Sequence, residues 1–393
     1  MVKCRKFLLV LNTPQNVFQI ESGSALRSNM LIKALTEMGC VDIICFSRSD
    51  LVSNIPNCNV IFSEAIWDEK DFKEVLCSLF RMTVRPSDPY SYFQVNKQKA
   101  SIVDSFVNQT DYDFIVCRYV QTAIICGLLA YKDKLVIDAD DNLSVVRRFQ
   151  AIQTHSFLYR WKRQYESKRI RIMLKSLLSS IHCSFCSNPL ELPSPKTVFL
   201  HNTTILNTPV ADLSNDSVPR ILFIGYLRYF PNQHGIAHFV KTIFPRIRER
   251  IPAVELHVVG DGDPEFLTYL NARDGVRAVG IVDDLVSEYQ KATVVVIPIY
   301  YGSGTCVKFA EALLMNRPII STPVGARWYS EVCRDGEDYM LANDDDEFFR
   351  KTLTLLTSLS SAREMAHRGY DIGEKWFSQK RFVDIVKNAI LNS

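Results

Sequence analysis

Short runs rich in β-branched and aromatic residues recur along the first half of the chain: RKFLLVLN, VDIICF, NVIF, DFIVCR, KLVIDAD and IHCSFC. Segments with helical spacing separate them, and strands that alternate with helices pair in parallel, because each crossover carries the chain back over a face of the sheet. In one such segment, GSALRSNMLIKALTEMG, the residues Leu26, Met30, Leu31, Ala34, Leu35 and Met38 form a single apolar stripe, and Gly39 stands where a helix C-cap is expected. A second series, RILFIG, VELHVVGDG, VRAVG, TVVVIPIY and RPIISTP, follows the polar stretch LNTPVADLSNDSVP, which reads as a linker over 206–219. At 393 residues the chain is long enough for two cores. The expected fold class is therefore α/β, with two doubly wound parallel-sheet domains in tandem, and the tail reads as two helices broken near Gly373 to Ser378.

Charge and cysteine usage narrow the partners. A formal net charge of +3 gives no bulk attraction to nucleic acid, so ligands are sought in local patches. Eleven cysteines, an odd number at scattered positions, read as free thiols in a reducing cytoplasm. Cys183 and Cys186 make a lone C-x-x-C with no second pair, and no cluster with metal-ligand spacing is present, so no metal is expected. The apolar part of MVKCRKFLLVLNTP is short for a leader, and AIICGLLAY is about half of the ~20 residues a membrane span needs. The expected location is cytoplasmic, with Asn202-Thr203-Thr204 not used as a glycan acceptor.

The stretch that carries most chemistry is YGSGTCVKFAEALLMNRPIISTPVGA, from Tyr301 to Ala326. The apolar run TVVVIPIY suits a central strand, and it empties into Gly302-Ser303-Gly304-Thr305 at the start of a helix. Glycines let backbone approach a ligand, and the free N–H groups of a helix start favour an anion, most often phosphate. Lys308 adds a full charge one turn into the helix, and Glu311 follows three residues on along the same face. A lysine for phosphate and a carboxylate for paired sugar hydroxyls suit a nucleotide; a tight turn with a solvated Lys–Glu pair is the plainer alternative. The order Gly-Lys-Ser/Thr of a Walker loop is absent, as is a G-x-G-x-x-G after the first strand.

In order and spacing, ILFIGYLRYFPNQHGIAHFVKTIFPRIRERIPAVELHVVGDG, VGIVDDLVSEYQKATVVVIPIYYGSGTCVKFAEALLMNRPIISTPVGA and DGEDYMLANDDDEF resemble the C-terminal half of the family 4 glycosyltransferases over about residues 220 to 350. The N-terminal half is similar more loosely, through GSALRSNMLIKALTEMG, CRYVQTA, VIDADDNLS and FLHNTT. The resemblance implies the GT-B architecture: two Rossmann-like domains facing a cleft, here an acceptor domain over 1–205 and a nucleotide-sugar domain over 220–370. A C-terminal helix within 371–393 would cross back to the first domain. It implies that Glu311 takes the ribose hydroxyls, that Gly302, Ser303, Gly304, Thr305 and Lys308 take the diphosphate, that Ile281 and Val282 meet the base, and that Gly23 lies near the donor phosphates. The implied reaction moves a sugar from a nucleotide-diphosphate donor to a glycan or lipid-linked acceptor hydroxyl with retention, in polysaccharide or glycoconjugate synthesis, with no cofactor and no metal. Lys308 and Arg228 would stabilise the departing diphosphate.

Two departures from the family pattern bear on that assignment. Tyr300 and Tyr301 stand where many relatives place a glutamate before the glycine loop, and Tyr226 stands where many have an arginine. A GT-B scaffold with impaired catalysis and a nucleotide-sugar epimerase are the alternative functions. Asp138, Asp140 and Asp141 end a strand, where Asp140 could orient or deprotonate an acceptor hydroxyl; a helix cap at Asp141 or Asn142 with a solvated turn is the competing reading. Arg27 and Arg118 either face the cleft or, the preferred reading, are surface or helix-end charges, and Asn202 is either a residue near the hinge or an ordinary turn residue. The basic stretch YRWKRQYESKRIRIMLKSLLSS, 159–180, fits either a solvated helix face or a peripheral contact with an anionic membrane surface.

Overall fold

Strands whose residues are apolar almost without interruption can only be central, since both of their faces must be covered. In the computed structural model, β1 (Arg5–Leu11) is such a strand, with Phe7 through Leu11 fully buried. The structure describes residues 5–14, 16–19, 23–68, 78, 80–140, 142–152, 154, 156–188, 194–206, 209–213, 218–302 and 304–392. They divide into two units, 1–201 with 382–393, and 202–381.

Among the described residues, unit 1 holds a seven-stranded parallel sheet. It comprises β1, β2 (Gly39–Cys45), β3 (Cys58–Ser63), β4 (Phe114–Arg118), β5 (Leu135–Asp140), β6 (Cys183–Cys186) and β7 (Thr197–Phe199), in the order β3-β2-β1-β4-β5-β6-β7. The strand order reverses between β1 and β4, and a crevice opens at the carboxyl ends of two strands where that happens. The helix Gly23–Thr36 follows β1 and buries Leu26, Met30, Leu31, Ala34 and Leu35 of the stripe expected from the sequence, while Met38 falls in the turn after it and is part-buried. Gly39 is not its C-cap. It is the first residue of β2, and a Cβ there would lie 2.0 Å from the Arg5 carbonyl oxygen, so close strand pairing is what demands glycine. The last helix, Gln379–Asn392, packs on this unit through Phe382, Val386 and Ile390; Lys387 pairs with Glu37 at 2.7 Å, and the Ile390 carbonyl lies 2.9 Å from His182 Nε2.

Unit 2 holds a six-stranded parallel sheet among the described residues. Its strands are β8 (Arg220–Ile224), β9 (Glu255–Val259), β10 (Val276–Gly280), β11 (Val294–Ile297), β12 (Ile319–Ser321) and β13 (Met340–Leu341), in the order β10-β9-β8-β11-β12-β13. Here the reversal falls between β8 and β11. The stretch read as a linker is packed where it is described: Val210 and Leu213 are buried in the core of unit 2, and the buried Arg317 donates to the Ala211 carbonyl at 2.9 Å. The break in the tail falls at Ser378, between helices Leu359–Phe377 and Gln379–Asn392, and Gly373 lies inside the first of them against Leu313.

The helix Phe157–Ser179 carries the basic stretch. It buries Ile170, Met173 and Leu174 and leaves Trp161 and Ile172 exposed. No helix among the described residues is long and apolar enough to cross a membrane. The described cysteines are free thiols, Cys183 and Cys186 buried within β6.

Candidate active site

At the switch point of unit 2, β8 runs into Gly225, and β11 leads through Tyr300 and Tyr301 to Gly302, whose φ of +142° is open to glycine and rarely to other residues. The Arg327 guanidinium donates to the Gly302 carbonyl at 3.0 Å, and Asn202 Nδ2 donates to Thr305 Oγ1 at 2.6 Å, which fixes both ends of the loop. Ser303 lies outside the described residues. Helix Val307–Leu314 then starts from Cys306 with no side-chain cap and no acid in its first turn, so the partial positive charge of its free N–H groups is not neutralised locally.

Lys308 is buried on the inner side of this helix. Its Nζ donates to Asn232 Oδ1 at 2.7 Å and lies 4.3 Å over the Phe223 ring. No carboxylate comes within salt-bridge distance of it among the described residues, and desolvation pushes the amine down from its ordinary value to about 8. Gly225 makes room for this arrangement, since a Cβ there would stand 2.7 Å from Lys308 Nζ and 2.9 Å from Asn232 Nδ2. Glu311 accepts from the Thr204 hydroxyl at 3.1 Å and from the Tyr289 hydroxyl at 3.3 Å. Burial raises its carboxyl above the ordinary range, and those two hydrogen bonds and Lys308 oppose the rise. Both donors are neutral, and a carboxylate has lone pairs for two more.

Other expected positions are arranged differently. Arg228 is bound by Asp261 at 2.9 Å and by Asp263, so its charge is already matched by the loop after β9. Ile281 is exposed and Val282 packs on the core, both following Gly280 at φ +73°. Tyr226 is exposed, and its carbonyl accepts from Asn232 Nδ2 at 2.9 Å. The two tyrosines before the loop diverge. Tyr300 turns inward, its hydroxyl 3.5 Å from Asp345 and its ring edge-on to His238, whose Nε2 is 2.9 Å from both Asp345 oxygens; Tyr301 turns outward.

At the switch point of unit 1, Gly23 opens helix Gly23–Thr36, and the next residue, Ser24, meets the end of β4. Arg27 and Arg118 are not surface charges. Both are buried, because two carboxylates at the end of β5 take their charge out of solvent. Arg27 grips Asp138 bidentately at 2.8 Å through Nε and an amino group and donates to the Leu200 carbonyl at 3.0 Å. Arg118 lies 3.1 Å from Asp138, pairs with Asp140, and donates to the Ser24 carbonyl at 2.5 Å and to Ser28 Oγ at 2.8 Å. The two guanidiniums hold the Asp138 carboxyl below its usual range against the desolvation that would raise it. This excludes the solvated-turn reading for Asp138. Asp140 sits at φ +55°, a left-handed conformation uncommon outside glycine, with its oxygens facing both arginines, 3.5 Å from Arg27. Asn142 supplies the cap, accepting from the Ser144 N–H at 3.0 Å; Asp141 lies outside the described residues.

Asn232, Thr204 and Tyr289 escaped the sequence reading. They lie 76, 107 and 22 residues from their partners, and only the Asn in PNQHG, just inside a helix start, carried any local signal. Among the described residues no group of three or more His, Cys, Asp or Glu side chains is placed to hold a metal ion.

Two parallel sheets, each with its charged groups at the carboxyl ends of the switch-point strands, define the class, and the fold is that of the GT-B glycosyltransferases. It is similar to sucrose-phosphate synthase from Thermosynechococcus elongatus, with a TM-score of 0.68, 18% identity and 96% of either chain covered. It is also similar to Anabaena HepE in its complex with UDP-glucose, with a TM-score of 0.62, 12% identity, and 99% of this chain and 100% of that one covered. In sequence, residues 218–358 match the family described as glycosyl transferases group 1. An uncharacterised 44.6 kDa protein of the cps region of Klebsiella pneumoniae is 24% identical over 298 residues, 70% of this chain and 74% of that one. The match over residues 218–358 and the GT-B fold together support a glycosyltransferase.

Proposed function

We propose that the chain transfers a sugar from a nucleoside-diphosphate donor held by unit 2 to a hydroxyl of a glycan or lipid-linked acceptor, in polysaccharide or glycoconjugate synthesis. The observation that carries this reading is Lys308: a buried ammonium at the carboxyl edge of the sheet, beside an uncapped helix start, with one neutral partner. A site of that kind is short of an anion, and a diphosphate supplies one. Glu311, one turn further along, has acceptor capacity left for paired ribose hydroxyls.

In the proposed reaction the bond from the anomeric carbon to the diphosphate oxygen breaks, and its electron pair leaves with the nucleoside diphosphate. The acceptor oxygen forms the new bond from the same face, which retains configuration, and its proton passes to the departing phosphate oxygen. Lys308 and the amides of the Gly302 loop stabilise the negative charge that grows there. Arg228 joins them in this proposal only by exchanging an Asp261 or Asp263 contact for phosphate. In unit 1, Asp140 orients the acceptor hydroxyl. The charge is balanced by protein groups alone, so the proposal includes no metal.

The HepE complex with UDP-glucose supports a nucleotide-sugar donor, and the cps-region relative supports a polysaccharide context. Isothermal calorimetry with UDP and GDP tests the donor site. Micromolar binding of either, lost in Glu311→Ala, is the expected result; absence of binding to both would refute the reading. EDTA is expected to leave donor turnover unchanged.

A further inference from the structure

A nucleotide sugar held at its ribose by Glu311 and at its diphosphate by Lys308 extends its sugar on the side of Lys308 away from Glu311, because the three groups are joined in sequence. The surface near Lys308 that does not belong to its own helix is built by helix Phe230–His238. Asn232, the partner of Lys308, lies in the first turn of that helix. Three residues further, the helix approaches the end of β11 so closely that a Cβ on Gly235 would stand 2.0 Å from the Pro298 carbonyl oxygen.

That approach brings His234 against the residues before the glycine loop. The Tyr301 ring stands edge-on to His234, centroids 4.9 Å apart at 71°, and Phe230 lies 6.2 Å from Tyr301. Tyr301 is 38% exposed, and among the described residues its hydroxyl has no hydrogen-bond partner. His234 Nδ1 is buried and unpaired as well. Burial and the neighbouring His238 pull the His234 imidazole below its ordinary pKa, which keeps it neutral. A cleft of about 340 Å³ continues the surface along Phe230, His234, Phe266 and Tyr269. Tyr300, its hydroxyl turned toward Asp345, packs edge-on against His234.

The geometry points to Tyr301, positioned by His234, as the residue that contacts and selects the transferred sugar, with a neutral hexose as the sugar class. The inference rests on the donor-site reading of Lys308 and Glu311. An aromatic face packs on the C–H face of a pyranose, whose hydrogens carry the complementary partial charge. The Tyr301 hydroxyl remains for a sugar hydroxyl, leaving water for that partner, while the His234 ring holds Tyr301 edge-on. A uronate would instead bury its carboxylate against an aromatic edge and a neutral imidazole with nothing to balance it.

Calorimetry of the full chain with UDP, UDP-glucose, UDP-galactose, UDP-glucuronate, GDP and GDP-mannose tests this, using Tyr301→Ala, Tyr301→Phe, His234→Ala and Tyr300→Phe. The quantity read is the ratio of affinities between the best neutral nucleotide hexose and its free nucleoside diphosphate. In Tyr301→Ala and His234→Ala that ratio is expected to fall about tenfold, or about 1.4 kcal/mol, while nucleotide affinity stays within about twofold of wild type. Tyr301→Phe separates the hydroxyl from the ring with a smaller fall, and Tyr300→Phe is expected to change neither value. In wild type, UDP-glucuronate is expected to bind more weakly than UDP-glucose. Wild type that binds nucleotide, together with Tyr301→Ala and His234→Ala variants whose ratio is unchanged, would overturn the inference and leave the donor site standing. Wild type that binds neither UDP nor GDP would remove the donor-site reading itself.

Discussion

Each sheet buries positive charge at its carboxyl edge, and the two edges handle it in opposite ways. In unit 1, Arg27 and Arg118 meet Asp138 and Asp140 within one set of ion pairs, and the Leu200 and Ser24 carbonyls and Ser28 take up further donors. In unit 2, Lys308 has an amide oxygen and a ring face, and Glu311 has two hydroxyls. A matched network gains little from an added ligand and loses much when one member is removed. A charge that has been desolvated but not matched behaves the other way: it costs stability while the site is empty and gives binding energy when an anion arrives. The first edge holds a fold in place through Asp138, with only the part-exposed Asp140 open to an acceptor, and the second is prepared for a ligand.

The largest effect that tests this contrast is on unit 1. Asp138→Ala leaves two buried guanidiniums short of a partner and is expected to cost about 3–5 kcal/mol, read from urea unfolding. A loss below about 1 kcal/mol would mean the network is not structural. On unit 2, Lys308→Ala is expected to lower donor turnover by roughly 10²–10³-fold, about 2.7–4 kcal/mol of transition-state stabilisation, with no loss of urea stability. Comparable damage to both would erase the distinction between the edges. Glu311→Gln keeps the shape and is expected to weaken nucleoside-diphosphate binding about tenfold in calorimetry.

A pH series sharpens the comparison further. The folded-state value of Lys308 is depressed from 10.5 to about 8, so between these values the unfolded chain binds more protons than the folded one, and the contribution of Lys308 makes stability rise with pH. Anion binding needs the ammonium, so UDP affinity is expected to fall as pH rises through about 8. Thermal shifts with UDP at pH 6.5 and 9 should show this dependence in wild type and not in Lys308→Ala. The smallest expected effect is at the surface of helix Phe157–Ser179, where Phe157, Leu158 and Trp161 are exposed beside Arg160. Flotation with anionic vesicles should show weak, salt-sensitive binding that Trp161→Ala reduces, and no binding at low salt would leave this helix face simply solvated.

The layered fold and the loop of unit 2 were legible because their signals are local: apolar runs for central strands, glycines before a helix, and a lysine and glutamate at helical spacing. The surroundings of Lys308 and Glu311 were not, since Asn232, Thr204 and Tyr289 reach them across the fold. Arg27 and Arg118 were read as surface charges because an arginine is rarely buried unless paired, and the pairing partners lie 111 and 20–22 residues away. The signal available was the crowding of acids in VIDADDN at a strand end, which needs cations from elsewhere. Gly39 misled for a related reason. A glycine after a helical stripe has two common causes, and only the register of β2 against β1 separates them.

The passage of the chain out of unit 1 at residue 201 and back into it at 382 sets an order for biosynthesis. A growing polypeptide emerges from the ribosome amino end first, so the residues that close unit 1, Phe382, Val386 and Ile390 among them, appear only after all of unit 2 has been made. Until then His182 and Glu37 wait for the Ile390 carbonyl and for Lys387. Unit 2, whose residues are consecutive, has everything it needs to fold earlier. A message that stops before codon 382 would therefore yield a finished second half attached to an unfinished first one, a product for chaperones and proteases rather than a smaller enzyme.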